Sequence, residues 1–245
     1  MDGTLKTFWN NFFHFDAYLS VAETSIKLNF KPVSFSENQF DIENLYHPLI
    51  SNPVKNSLNT TSNVILLTGA NMSGKSTFFK ALSICIYLGH LGFRVPAQKC
   101  SIPYFDDINI FLNSKDDLES GFSQFMFELN NLKQIVVNAE NGQHVYAVID
   151  EMFSGTNIDD ASDMFEITIK GLTKYRHCYF FISTHFSHLE SFVLSCGKNV
   201  STYFLDAKME NQQPVYTFEL KKGWSDQKLG KILFENHGLG KLLTT

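Results

Sequence analysis

The sequence predicts a mixed α/β fold, a central sheet flanked by helices, and three stretches carry that expectation. In the first, the apolar run Val64-Ile65-Leu66-Leu67 leads into Thr68-Gly69-Ala70-Asn71-Met72-Ser73-Gly74-Lys75-Ser76-Thr77 and then a helix-like segment to Leu91. Gly69, Gly74, Lys75 and Ser76 satisfy G-x-x-x-x-G-K-[ST] in the strand–loop–helix setting that the motif requires. In the second, Val145-Tyr146-Ala147-Val148-Ile149 is unbroken apolar sequence ending in Asp150-Glu151, as a strand buried on both faces should be. In the third, Cys178 to Ser183 is another apolar run, terminating at Thr184-His185. A phosphate loop beside two such strands defines a P-loop NTPase fold.

The 245 residues are enough to bury a full core. A net charge of −5 argues against a surface that grips nucleic acid over its whole extent. Cys85, Cys100, Cys178 and Cys196 show neither C-x-x-C nor zinc-finger spacing, so buried free thiols in a reducing cytosol are expected. With no apolar run of membrane-spanning length and no signal-like N-terminus, the expected location is cytoplasmic, without membrane contact.

In chain order, residues 4–23 place Leu5, Phe8, Trp9, Phe12, Phe15, Leu19 and Ala22 at helical spacing. This predicts an amphipathic helix whose aromatic face packs on the chain's own domain. Strand-like alternation follows over 25–34 and 39–45, and residues 1–45 form one expected unit beside a main domain at 46–245. The stretch from Tyr46 to Asn63 is rich in Pro, Asn, Ser and Thr and reads as a loop. Ile108 to Leu112 reads as a strand. Phe125, Leu129, Leu132 and Val136 share one helical face, with Ser123 placed as N-cap. Asp159-Asp160 open a further helix, where acids suit the dipole. Val200 to Leu205 and Val215 to Leu220 read as late strands, and 229–236 as a closing helix.

The candidate chemistry follows from these placements. Glycines let the loop turn its N–H groups inward, Lys75 reaches the β- and γ-phosphates, and the Ser76 hydroxyl ligates Mg²⁺. The first turn of the next helix adds its positive dipole end. Asp150 is read as the residue holding the Mg²⁺ shell and Glu151 as base or orienter for attacking water. His185 is a candidate γ-phosphate sensor, because imidazole donates to a phosphate oxygen, although a surface-loop histidine is the plainer reading. His185 and His188 lack the third ligand that a metal site needs.

Read together, these residues resemble the ATPase domain of the MutS family of DNA mismatch repair proteins, within the ABC-type P-loop ATPases. Thr68 to Thr77, with its Asn71-Met72 pair, is similar to that family's phosphate loop. Gly92 to Ala97, Asp116-Asp117-Leu118 with Gly121, Phe125-Met126 with Glu128, Asp150-Glu151, Gly155-Thr156 and Thr184-His185 follow in family order. The resemblance implies an ABC-ATPase-like mixed central sheet, ATP and Mg²⁺ as cofactors, and a homodimer of ATPase faces packed head to tail. In it, Gly121 and Ser123 form a signature that meets the partner's γ-phosphate. It also places Val54 and Phe218 around the adenine, Phe218 by stacking. Phe122, Gln124 and Ser154 depart from the family pattern. The chain has no room for the family's mismatch-reading, connector and clamp domains, so the expectation is a C-terminal fragment or a reduced member, with DNA contacted by domains absent from this chain. Two other readings stand beside it: a nucleotide-gated assembly module with little turnover, and a related ATPase acting on branched DNA, RNA or ribosomes.

Overall fold

The computed structural model describes residues 3–37, 39–112, 124–153, 155–210 and 213–225, together with positions 234, 236, 242 and 243. In order they form α1 (Gly3–Lys27), β1 (Val33–Phe35), β2 (Phe40–Leu45), β3 (Asn56–Thr60), β4 (Val64–Thr68), α2 (Lys75–His90), β5 (Lys99–Ile102) and β6 (Asp107–Phe111). Then come α3 (Gln124–Glu140), β7 (Val145–Ile149), α4 (Ile158–Leu172), β8 (Tyr179–Ser183), α5 (Glu190–Ser195), β9 (Val200–Glu210) and β10 (Gln213–Lys222).

Six strands make the central sheet in the order β10-β9-β4-β8-β7-β6. All neighbours run parallel except the β9–β10 hairpin. The phosphate-loop strand β4 sits in the interior, between β8 and β9. Parallel strands need both faces covered, which explains why β4, β7 and β8 read as continuous apolar runs. Their side chains alternate between two cores. Ile65, Leu67, Tyr146, Val148, Tyr179 and Phe181 face the core that contains α2 residues such as Phe79 and Leu82. Val64, Leu66, Ala147, Ile149, Phe180 and Ile182 face the core built with α4 residues Phe165 and Ile169.

A second sheet, β1-β5-β2-β3, lies over the α2 side. Strands β2, β3 and β5 pair antiparallel, and β1 joins β5 in parallel. Strand β3 falls where the sequence reads as loop, and β5 falls where the sequence reading assigns no element. In β3 only Leu58 and Thr60 turn inward, and in β5 the buried positions include Cys100 and Ser101. Polar alternation of that kind does not separate a short strand from a loop. Residues 40–45 pair with both 56–60 and 99–101, so the expected division at residue 45 falls inside this sheet.

Helix α1 extends to Lys27, correcting the expected strand over 25–34 to a helix end followed by β1. Among the described residues its aromatic face is not packed on the domain. Leu5, Phe8, Trp9, Phe12, Phe13, Phe15, Tyr18 and Leu19 are all exposed, Phe8 by 59% and Phe15 by 64%. Their rings meet one another along the helix instead, as in the Trp9–Phe13 stack at 5.8 Å. Periodicity reports which side chains share a face but not what covers it. The late hairpin is longer at both strands than the sequence suggests, and most of the expected 229–236 helix lies outside the described residues. No helix among the described residues is long and apolar enough to cross a membrane.

Candidate nucleotide site

The C-terminal ends of β4, β7 and β8 lie along one sheet edge, because the strands are parallel and in register with Leu67 opposite Ser183. Ligands of open α/β sheets bind at such an edge. The loop from Gly69 to Gly74 leaves β4 here with Gly69 at φ 132°, Met72 at 72° and Gly74 at 100°. Glycine is required twice. A Cβ on Gly69 would stand 3.0 Å from Ser73 Oγ and 3.2 Å from Leu205 O, and one on Gly74 would stand 3.0 Å from the Phe218 ring. Ala70, Asn71 and Met72 form the outer part of the loop, and Met72 is exposed.

Helix α2 starts at Lys75 with Gly74 as N-cap and no side chain capping it. Its first N–H groups, including those of Ser76 and Thr77, therefore lack intrahelical acceptors and face the loop as an anion site. Lys75 is buried, and its ammonium donates to Gly69 O at 2.9 Å and Ala70 O at 3.3 Å. Burial lowers its pKa from the usual lysine value, while the carboxylates of Glu151 and Asp150 oppose that shift. Ser73 is fully buried and its hydroxyl has no hydrogen-bond partner. An orphaned hydroxyl, an ammonium resting on its own loop's carbonyls and an uncapped helix start all suit a bound phosphate chain.

A hydroxyl relay ties this loop to the two acids. Ser76 Oγ donates to Asp150 Oδ2 at 2.5 Å, and Ser183 Oγ donates to Asp150 Oδ1 at 2.6 Å. Ser183 Oγ in turn accepts from the Glu151 N–H at 2.8 Å. Ser76 and Asp150 thus present oxygen donors side by side, the set that Mg²⁺ takes when it shares a site with phosphates. Glu151 and Phe153 are held in the left-handed region at φ 57° and 64°. Each such residue stores about 1–3 kcal/mol, and the neighbours must over-determine it. Ser183 does so for Glu151. For Phe153 the N–H donates to Glu128 Oε2 at 2.9 Å, which connects α3 to this turn. Gly155 lies against the start of α3, where a Cβ would come 3.3 Å from Phe125 Cβ.

His185 follows β8 at the same edge. Thr184 is buried and bonded through its N–H to Leu67 O, whereas the His185 side chain is exposed beside Phe186. His188 bonds Ser162 Oγ at 2.9 Å, and no group of potential metal-ligating side chains is found among the described residues. Gly121 and Ser123 lie outside the described residues, as do Phe122 and Ser154.

Phe218 sits at the apex of a bulge in β10. Three residues, 217–219, stand between the pairs Tyr216–Ala207 and Leu220–Leu205. Phe218 has φ 57° and its ring packs on Gly74, at the loop's end. Val54 precedes β3, two residues from Asn56, and Asn56 Nδ2 donates to Phe218 O at 3.0 Å. That bond ties the start of β3 to the Phe218 bulge. The sequence reading missed Ser183, Asn56 and the role of Glu128. Ser183 ends an apolar run, and only its register opposite Leu67 marks it. Asn56 lies in a stretch whose polarity masked a strand.

Comparisons with known proteins identify the family. The family MutS domain V matches residues 65–241. DNA mismatch repair protein MutS of Thermotoga maritima is 29% identical over 221 residues, covering 88% of this chain and 27% of that protein. The proteins of the same name from Clostridioides difficile and Thermus thermophilus are each 29% identical over 225 and 229 residues, covering 88% and 92% of this chain and 23% and 27% of theirs. The chain thus spans about a quarter of the length of the curated relatives it matches. With the family match extending from inside the phosphate-loop strand through both acids and the late hairpin, the chain belongs to the MutS family as its domain V, a P-loop ATPase-type fold.

Proposed function

We propose that this chain is the ATP-binding and ATP-hydrolysing domain of a MutS-like protein. The relay Ser76–Asp150–Ser183–Glu151 beside an uncapped phosphate loop is the observation that carries the reading. Lys75 exchanges Gly69 O and Ala70 O for phosphate oxygens. Ser76 and Asp150 would hold Mg²⁺, which when bound would offset the negative charge of the phosphates. Glu151, fixed through its own N–H by Ser183, orients the attacking water and accepts its proton. His185 reports the γ-phosphate from the neighbouring strand end, and Val54 and Phe218 flank the adenine.

By its family, nucleotide governs how two copies meet through their ATPase faces, with Gly121 and Ser123 of each completing the other's site. The relatives' name, DNA mismatch repair protein, supports a DNA-processing role. The dispersed basic residues of a chain with net charge −5 offer DNA no continuous basic face. A second reading, a nucleotide-gated assembly module with little turnover, is favoured by Phe122 and Gln124, which depart from the family's signature.

Equilibrium binding of a fluorescent ATP analogue tests the site. Lys75→Ala should weaken binding by about 10–100-fold, the value of charge-assisted hydrogen bonds. Asp150→Asn should remove the Mg²⁺-dependent part. Binding that ignores both changes would overturn the assignment. Sedimentation separates the two readings: pairing with ATP and Mg²⁺ but negligible phosphate release supports the assembly module, whereas a chain that stays monomeric and still hydrolyses excludes completion of the site in trans.

A further inference from the structure

We infer that Asn56 is the residue that sets the base-binding half of the site, by holding the β10 bulge so that Phe218 presents its ring to the nucleobase. The inference rests on the reading of the phosphate loop as an ATP site. Residues 217–219 have no paired partner in β9, because Tyr216 pairs with Ala207 and Leu220 with Leu205. Left alone, such a bulge is the least constrained part of an edge strand. The Asn56 carboxamide takes the place of the missing strand partner. Its Nδ2 donates to Phe218 O at 3.0 Å and its Oδ1 accepts from the Leu220 N–H at 2.7 Å.

The carboxamide is matched to that task, since it carries one acceptor and a donor group in one plane, as a peptide does. The far side of the bulge is braced separately. Thr217 Oγ1 donates to Asp206 O at 3.0 Å, and Lys221 forms an ion pair with Asp206. Between these braces Phe218 is kept at φ 57° with its ring against Gly74 and half exposed beyond it. The hydrogen bonds of the Asn56 side chain go to Phe218 and Leu220 and not to the loop or the acids, so it is a positioning residue that acts through Phe218. Its effect should appear only in the part of the affinity that depends on the base.

The experiment compares Mg·ATP with Mg·tripolyphosphate, which has the phosphates and no base, on the chain and on Asn56→Ala, Asn56→Asp, Phe218→Ala and the double variant Asn56→Ala/Phe218→Ala. Asn56→Ala should weaken ATP about tenfold, as the loss of two hydrogen bonds implies, and change tripolyphosphate less than about twofold. Asn56→Asp retains the acceptor for Leu220 but sets a carboxylate oxygen against Phe218 O, so it should weaken ATP at least as much as Asn56→Ala. The double variant should bind ATP no worse than Phe218→Ala. If Asn56→Ala does not fold, the Asn56→Asp series decides alone. Equal weakening of both ligands, or ATP affinity unchanged by Asn56 substitution while Phe218→Ala lowers it, overturns the inference and leaves the ATP site standing. ATP bound no more tightly than tripolyphosphate by the parent chain also overturns it alone. Failure of the parent to bind either ligand overturns the ATP site and the inference together.

Discussion

Replacing Ser183 by Ala removes one oxygen that serves both acids of the site, so it tests whether the relay is functional or merely a buried polar cluster. Ser183 is fully buried, and its hydroxyl donates to Asp150 Oδ1 at 2.6 Å while accepting from the Glu151 N–H at 2.8 Å. The bond to a carboxylate is worth about 1.5–3 kcal/mol and the neutral bond about 0.5–1.5 kcal/mol. The variant should therefore lose about 2–4 kcal/mol of stability, which lowers the melting temperature of a domain this size by roughly 5–15 °C. Glu151 at φ 57° would lose a restraint on its strained backbone, so phosphate release should fall at least about tenfold. ATP affinity should stay within about threefold, because the Lys75 ammonium is held by Gly69 O and Ala70 O rather than by Ser183. Ser183→Thr keeps the hydroxyl and should recover much of the loss. Denaturant unfolding and steady-state phosphate release measure the two halves. A Ser183→Ala chain within about 0.5 kcal/mol of the parent, releasing phosphate at the parent's rate, would refute the relay.

Two further outcomes follow from the same geometry. Glu128→Ala removes the acceptor for the Phe153 N–H, and phosphate release should fall several-fold with ATP affinity unchanged; Glu128→Gln, which retains a side-chain oxygen, should restore most of it. A chain beginning at residue 24 should melt within about 2 °C of the full chain and bind ATP equally, because neither core draws a residue from α1, and a larger loss in unfolding scans would show that the helix is braced by the domain.

The parts of the fold that the sequence exposes are those that burial writes in apolar letters. β4, β7 and β8 are covered on both faces, so each is an unbroken hydrophobic run, and the loop motif fixes where their ends must meet. The acids at 150 and 151 are legible for the same reason, since polar residues that close a buried strand are conspicuous. β3 and β5 belong to a small sheet, and their inward positions include Thr60 and Ser101, so polarity disguised β3 as loop and left β5 without an expected element. Ser183 and Asn56 escape because their meaning is relational. A serine at a strand end matters only once β8 is known to lie beside β4, and an asparagine matters only once β10 bulges toward it. The exposure of α1 is invisible for the converse reason, as an aromatic stripe looks the same whether or not anything covers it.

Phosphate release by the parent chain, Lys75→Ala and Glu151→Gln, each at the ATP concentration that just saturates the parent and with and without Mg²⁺, bears most directly on the proposed function. The parent should release phosphate only with Mg²⁺. Lys75→Ala should fail through lost binding, and Glu151→Gln should bind ATP as the parent does while releasing phosphate at least about a hundredfold more slowly. Three chains with indistinguishable rates would contradict the assignment of this site.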